Sequence, residues 1–142
     1  MTIEISTDIE RLDFDLIHRF LSEESYWARG RSMEMVRKAI ENSLNFGVYL
    51  DGQQIGFARV VTDRTTFAWL ADVFIVTGHR GHGYSKMLVR SIMEHPELQG
   101  LRRWFLATRD AHGLYARFGF TAVPPDRFME RLVEGPPQGP AR

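Results

Sequence analysis

The sequence predicts a mixed α/β domain: one sheet of about seven strands with helices on both faces. Three observations predict it. Residues 66–76 are almost wholly apolar and rich in branched and aromatic side chains, the pattern of a buried central strand. That strand passes through a basic glycine turn (Gly78, Arg80, Gly81, Gly83) into a helix with Leu88, Val89, Ile92 and Met93 on one face. The whole chain then orders as β-α-α-β-β-β-α-β-α-β-β, which alternates too often for a purely helical or purely β domain.

Each element has a local reason. Residues 3–6 alternate enough for a short strand. Asp13 is placed to cap a helix running to about Ser22, with Leu16, Ile17, Phe20 and Leu21 on its buried side. After a polar stretch carrying Tyr26 and Trp27, Ser32 caps a second helix with Met33, Val36, Ile40 and Leu44 at helical spacing. Strands at 46–51 and 55–63 flank Asp51-Gly52, a good hairpin turn. The helix after the glycine turn runs to about His95, where Pro96 stops it. A fifth strand at 102–108, a short helix at 112–118 and last strands at 120–123 and 127–133 complete the order. Residues 1–134 read as one domain. Residues 135–142 read as a flexible tail, because five of these eight are proline or glycine.

Composition narrows the function classes. Eighteen basic residues balance eighteen acidic ones, so no global field argues for nucleic acid or an anionic membrane. The chain has no cysteine, which removes disulfides, thiolate nucleophiles and zinc–sulfur sites and suits a reducing cytosol. No apolar run approaches a membrane span and the start lacks a signal peptide's regions, so cytoplasm is the expected location. His18, His79, His82, His95 and His112 form no i, i+4 pair, so no metal is expected. Monomer and homodimer both stay open.

Strand, glycine turn and helix N-terminus together make an anion site, where glycine admits the ligand and unpaired N–H groups point at it. Arg80 and Lys86 add positive charge, so a phosphate-bearing ligand is the first expectation. The turn is neither G-x-x-x-x-G-K-[ST] nor G-x-G-x-x-G. By itself it could be merely a turn. Residues 106–120 add a second signal, L-A-T-R-D-A-H-G-L-Y-A-R-F-G-F.

Together the two segments resemble the GNAT superfamily of acyl-CoA-dependent N-acetyltransferases. The family's Arg/Gln-x-x-Gly-x-Gly/Ala motif is matched by Arg80-Gly81-His82-Gly83-Tyr84-Ser85, with Ser85 a small departure. Its later pattern is matched by Ala111, Leu114, Tyr115, Gly119 and Phe120. The resemblance implies a mostly antiparallel sheet whose fourth and fifth strands run parallel and splay apart, with acetyl-CoA in the gap. It implies transfer of acetyl to a primary amine of a small molecule, by direct attack in a ternary complex. Tyr115 would be the general acid, and Thr108 stands where relatives carry an asparagine contacting the pantetheine arm.

The chemistry assigns the remaining roles. Backbone around Phe74, Ile75 and Val76 should polarise the thioester carbonyl, since a strand that loses its neighbour frees an N–H. Asp72, in an otherwise apolar strand, is either the base that takes the amine's proton or a carboxylate paired to an arginine such as Arg59. In the fold that the resemblance implies, the segment between the first two helices and the hairpin after strand three shape the acceptor pocket, which here means Tyr26, Trp27, Arg29, Arg31, Arg59 and Asp63. The aromatics either cover a ligand or pin the loop. The arginines either bind an acceptor carboxylate or make ion pairs. Two alternatives remain: an acyl-CoA-binding regulatory module without turnover, and acetylation of a protein or peptide amine.

Overall fold

The structure is a computed structural model and describes residues 1–134. Five strands form one sheet in chain order: β1 (Ile3–Ser6), β2 (Leu44–Leu50), β3 (Gln53–Thr62), β4 (Phe67–Ile75) and β5 (Arg103–Leu106). The first three neighbour pairs are antiparallel and β4–β5 is parallel. Asp51 and Gly52 both take positive φ (49° and 85°), which twists the β2–β3 turn in the sense the strands need.

Helix α1 (Phe14–Arg19) begins at Asp13, whose carboxylate accepts from the Leu16 amide at 3.0 Å, and continues as a π turn over Phe20–Glu24. Helix α2 (Met33–Glu41) begins at Ser32, whose hydroxyl accepts from the Met35 amide at 3.2 Å. Such caps are worth about 1 kcal/mol each. Helix α3 (Tyr84–Met93) follows the glycine turn, and α4 (His112–Ala116) follows β5.

Strand alternation sends successive residues to opposite faces, and each face has its own core. On one side Phe46, Val48, Val60 and Ile75 pack with Leu88, Val89 and Ile92 of α3 and with Tyr115 of α4. On the other, Phe57 and Phe74 pack with Ile17, Phe20, Val36 and Ile40. Phe20 stacks on Phe74 at 4.0 Å between ring centroids.

Two irregularities in β4 position the site. Phe57 pairs with Phe74 and Arg59 with Ala71, so Ala58 alone faces both Asp72 and Val73. This is a β-bulge, and Asp72 occupies it in the left-handed region at φ 53°. The second is at the other edge. Pairing with β5 stops at Leu70–Leu106, and residues 71–75 run on beside β3 alone.

The expected seven strands are five among the described residues. Residues 120–123 and 127–133 carry the branched and aromatic side chains of strands but form none. Pro124 and Pro125 interrupt them and cannot donate to a ladder, and the Arg127 amide turns back to the Pro124 carbonyl. Val123, Met129, Leu132 and Val133 are more than half exposed, so no neighbour supplies the burial that holds a strand in register. The tail at 135–142 lies outside the described residues.

Candidate active site

The glycine turn leaves β4 through a short 3₁₀ turn, Thr77–His79, and enters α3 by way of Gly81 and Gly83. Both glycines have positive φ (83° and 79°), a conformation that other residues adopt at a cost. A Cβ at either would meet no protein atom within 4 Å and would project into open space. Beside them lies a cleft of about 360 Å³ lined by Arg80, Tyr84, Ser85, Lys86 and Arg117 among others. Arg80 is fixed by its Nε, which donates to the Ile75 carbonyl at 3.1 Å. His82 does not line this cleft; its ring leans on Tyr84 at 5.6 Å. Arg117 escaped the sequence reading, since only the turn of α4 carries it to the cleft.

The end of β4 separates the three expected backbone donors. The Val76 amide donates to Ile55 on β3 at 2.8 Å and is spent. Alternation gives Phe74 the same direction as Val76 and turns Ile75 the other way. The Ile75 peptide therefore faces the edge where β5 has already ended, as its carbonyl's bond to Arg80 requires.

A second cavity of about 360 Å³ opens at that edge, with Tyr26, Trp27, Phe74, Ile75, Asp110 and Tyr115 in its wall. It shares Ile75, Arg80, Ser85 and Leu114 with the glycine-turn cleft, so the two adjoin. Tyr115 is 7% exposed. Burial pushes its phenol up to about 12, and electrostatic interaction with Tyr26 and Asp110 adds to the shift. A smaller cavity of about 90 Å³ lies between β4 and the end of β5, against Leu70, Val73, Leu106 and Thr108. Thr108 Oγ1 accepts from the Ala111 amide at 3.0 Å, which steadies the start of α4.

Asp72 sits where the loop between α1 and α2 meets the sheet. Its Oδ1 accepts from Trp27 Nε1 at 2.8 Å, and its Oδ2 accepts from Arg31 at 3.0 Å and from Arg59 Nε at 2.9 Å. Burial alone would push this carboxyl up, but the charges of Arg59 and Arg31 and the bonds from Arg59 and Trp27 outweigh it and hold the group below the usual range. Arg59 also donates to Ser43 Oγ at 3.2 Å. Tyr26 reaches the other way, its hydroxyl accepting from the Arg109 amide. Arg29 is exposed on the loop. Asp63 stands apart from these cavities, in the β3–β4 turn, where it accepts from the amides of Thr65, Thr66 and Phe67.

Among the described residues no group of three or more His, Asp or Glu side chains could hold a metal ion. None of the described helices is long and apolar enough to cross a membrane.

The chain resembles known proteins in sequence and in overall fold. The sequence model of the acetyltransferase (GNAT) family matches residues 14–120. A candidate acetyltransferase of Gibberella zeae is 30% identical over 135 residues, covering 80% of this chain and 75% of its own. The crystal structure of a candidate GNAT-family acetyltransferase from Xanthomonas campestris pv. campestris is 53% identical, superposes with a TM-score of 0.90 and covers 94% of each chain. At the level of fold alone, N-acetylglutamate synthase from Neisseria gonorrhoeae, crystallised with coenzyme A and N-acetyl-glutamate, superposes with a TM-score of 0.68 at 20% identity, over 90% of this chain and 30% of that one.

Proposed function

The chain belongs to the GNAT family of acetyltransferases, and on that premise we propose that it moves an acetyl group from acetyl-CoA to the primary amine of a small molecule, by direct attack in a ternary complex. One observation carries the proposal: Tyr115 and the Ile75 peptide line one cavity, and that cavity adjoins the basic glycine turn.

The donor set fits a phosphate-bearing co-substrate. Gly81 and Gly83 leave backbone open to close approach, the first turn of α3 presents unpaired N–H groups, and Arg80, Lys86 and Arg117 supply charge. His82, beside the cleft, would meet the ligand at its rim. Acetyl-CoA supplies a thioester whose carbonyl carbon is open to an amine's lone pair. The Ile75 N–H is the donor aimed at the thioester oxygen, with Phe74 and Val76 fixing the strand around it. A preorganised donor of this kind is worth about 3–4 kcal/mol. As the N–C bond forms and the C–S bond breaks, the sulfur gathers charge and Tyr115 donates a hydrogen bond to it. Complete proton transfer from a phenol near 12 to a thiolate near 8.5 would run uphill by about 5 kcal/mol, so Tyr115 stabilises developing charge and the proton finally comes from solvent. Thr108 lines the neighbouring cavity and offers its hydroxyl proton to the co-substrate's arm.

Asp72 serves this site as an anchor. A carboxylate that accepts three charged or indole N–H groups and is held ionised is a poor base, and the amine's proton passes to water. Through Asp72 the bulge holds Trp27 and Arg31, and so the loop that walls the acceptor side together with Tyr26. Arg59, bound to the same carboxylate, supports that wall and is not available to an acceptor.

A panel of amines offered with acetyl-CoA, with thiol release as the readout, tests the proposal. Turnover rejects a regulatory module without catalysis, and the best acceptor identifies the substrate class. Absence of thiol release with every amine would overturn the proposal.

A further inference from the structure

The larger cavity, about 360 Å³ with Tyr115 and Ile75 in its wall, holds two arginines that no carboxylate has claimed. Arg80 and Arg109 both line it, and neither makes an ion pair among the described residues. Arg31 and Arg59, by contrast, both serve Asp72. Arg80 also lines the glycine-turn cleft, the place argued above for the co-substrate's phosphates, whereas Arg109 does not. Arg109 is therefore the cation left for the acceptor. Its position is fixed twice through Tyr26: the Arg109 amide donates to the phenol oxygen at 3.0 Å, and the guanidinium lies over the ring, 3.8 Å from its centroid. The side-chain N–H groups of Arg109 make no hydrogen bond among the described residues. Glu24 and Asp110 line the same cavity and are likewise in no ion pair there.

Resting on the acetyltransferase function argued above, we propose that the acceptor is an amino acid and that Arg109 receives its carboxylate, while Glu24 and Asp110 balance the ammonium with which it arrives. A carboxylate is the planar, two-oxygen partner that a guanidinium's forked donors fit. Because Tyr26 already holds Arg109 in place, little side-chain freedom is lost on binding. Both signs are needed. A plain anion would meet two carboxylates, and a simple amine would leave Arg109 unanswered. An amino acid held on Arg109 keeps its amine in the cavity that contains Tyr115 and the Ile75 peptide.

An amino acid and its α-amide share shape and amine and differ in the charge of one group. Glycine, leucine, phenylalanine and glutamate, each paired with its α-amide, are offered to the full chain with saturating acetyl-CoA. The amides have the less basic amines, so the comparison is biased against the proposal. For the best pair the acid should be favoured about 10- to 100-fold in kcat/KM. Arg109→Gln should raise KM for the acid by about the same factor and leave the amide nearly unchanged, and Arg109→Lys should recover part of the loss. Unchanged melting of both variants, with and without acetyl-CoA, excludes misfolding as the cause. If the amides are used as well as the acids, or if Arg109→Gln slows both equally, the assignment is overturned while acetyl transfer stands. The same holds if thiol is released only with polyamines or lysine peptides. No thiol release with any amine would overturn the acetyltransferase function too.

Discussion

The hydroxyl of Tyr26 accepts a hydrogen bond from the Arg109 amide at 3.0 Å, joining residues 83 apart in sequence. The Arg109 guanidinium lies over the same ring. One side chain thus ties the loop between α1 and α2 to the turn that leads into α4. Tyr26→Phe keeps the ring and removes the acceptor. About 1 kcal/mol of stability should be lost, and KM for the amine should rise several-fold with little change in kcat. Denaturant melts and steady-state kinetics check this, and a fall confined to kcat would contradict it.

Asp72→Asn should be the most destabilising conservative change in the site. It takes from Arg31 and Arg59 the carboxylate they share, and breaking a buried ion pair in this way typically costs about 3–5 kcal/mol. The pH dependence has a definite sign. The folded carboxyl titrates below its unfolded value of about 3.9, so its contribution is complete above that pH and is lost as pH falls through the folded pKa. The stability gap between parent and variant should be flat above about pH 5 and shrink below about pH 4. A gap that does not narrow in acid would show that Asp72 is not held ionised.

Tyr115→Phe deletes the hydroxyl alone. An interaction stronger in the transition state than in bound substrate appears in kcat, and a loss near 100-fold is expected, at the lower end for general acids because thiolate leaves tolerably unaided. Acetyl-CoA affinity should hold, since the glycine turn is untouched. Because the phenol is pushed up to about 12, the parent's kcat should show no alkaline loss from tyrosine ionisation near pH 10. A variant within twofold of parental kcat, with chemistry rate-limiting, would remove Tyr115 from the mechanism.

Gly83→Val tests the turn. Acetyl-CoA at about a hundred times its dissociation constant should stabilise the parent by about 2.7 kcal/mol. The variant forces a branched residue to φ near 79° and fills the open space over the turn, so most of the ligand-induced shift should disappear. Strain should cost about 1–2 kcal/mol without unfolding the domain. An undiminished shift would place the phosphate site elsewhere.

Sequence alone determined what depends on near neighbours. The bounds of β1, the caps at Asp13 and Ser32, the Asp51-Gly52 turn and the glycine entry to α3 follow from alternation, side-chain acceptors and tolerance of positive φ, which act within a few residues. The motif residues from Arg80 to Ser85 and from Ala111 to Phe120 likewise announced the family. Tertiary structure decided everything that needed a distant partner. Residues 120–133 have strand-forming side chains yet no neighbour to pair with, and the number of strands changed accordingly. Asp72 could have been a base or an anchor; the bulge opposite Ala58 brought it Trp27, Arg31 and Arg59, from 45, 41 and 13 residues away. Local sequence sets backbone conformation, whereas the fate of a charge depends on register, bulge and fold, and those place its partners.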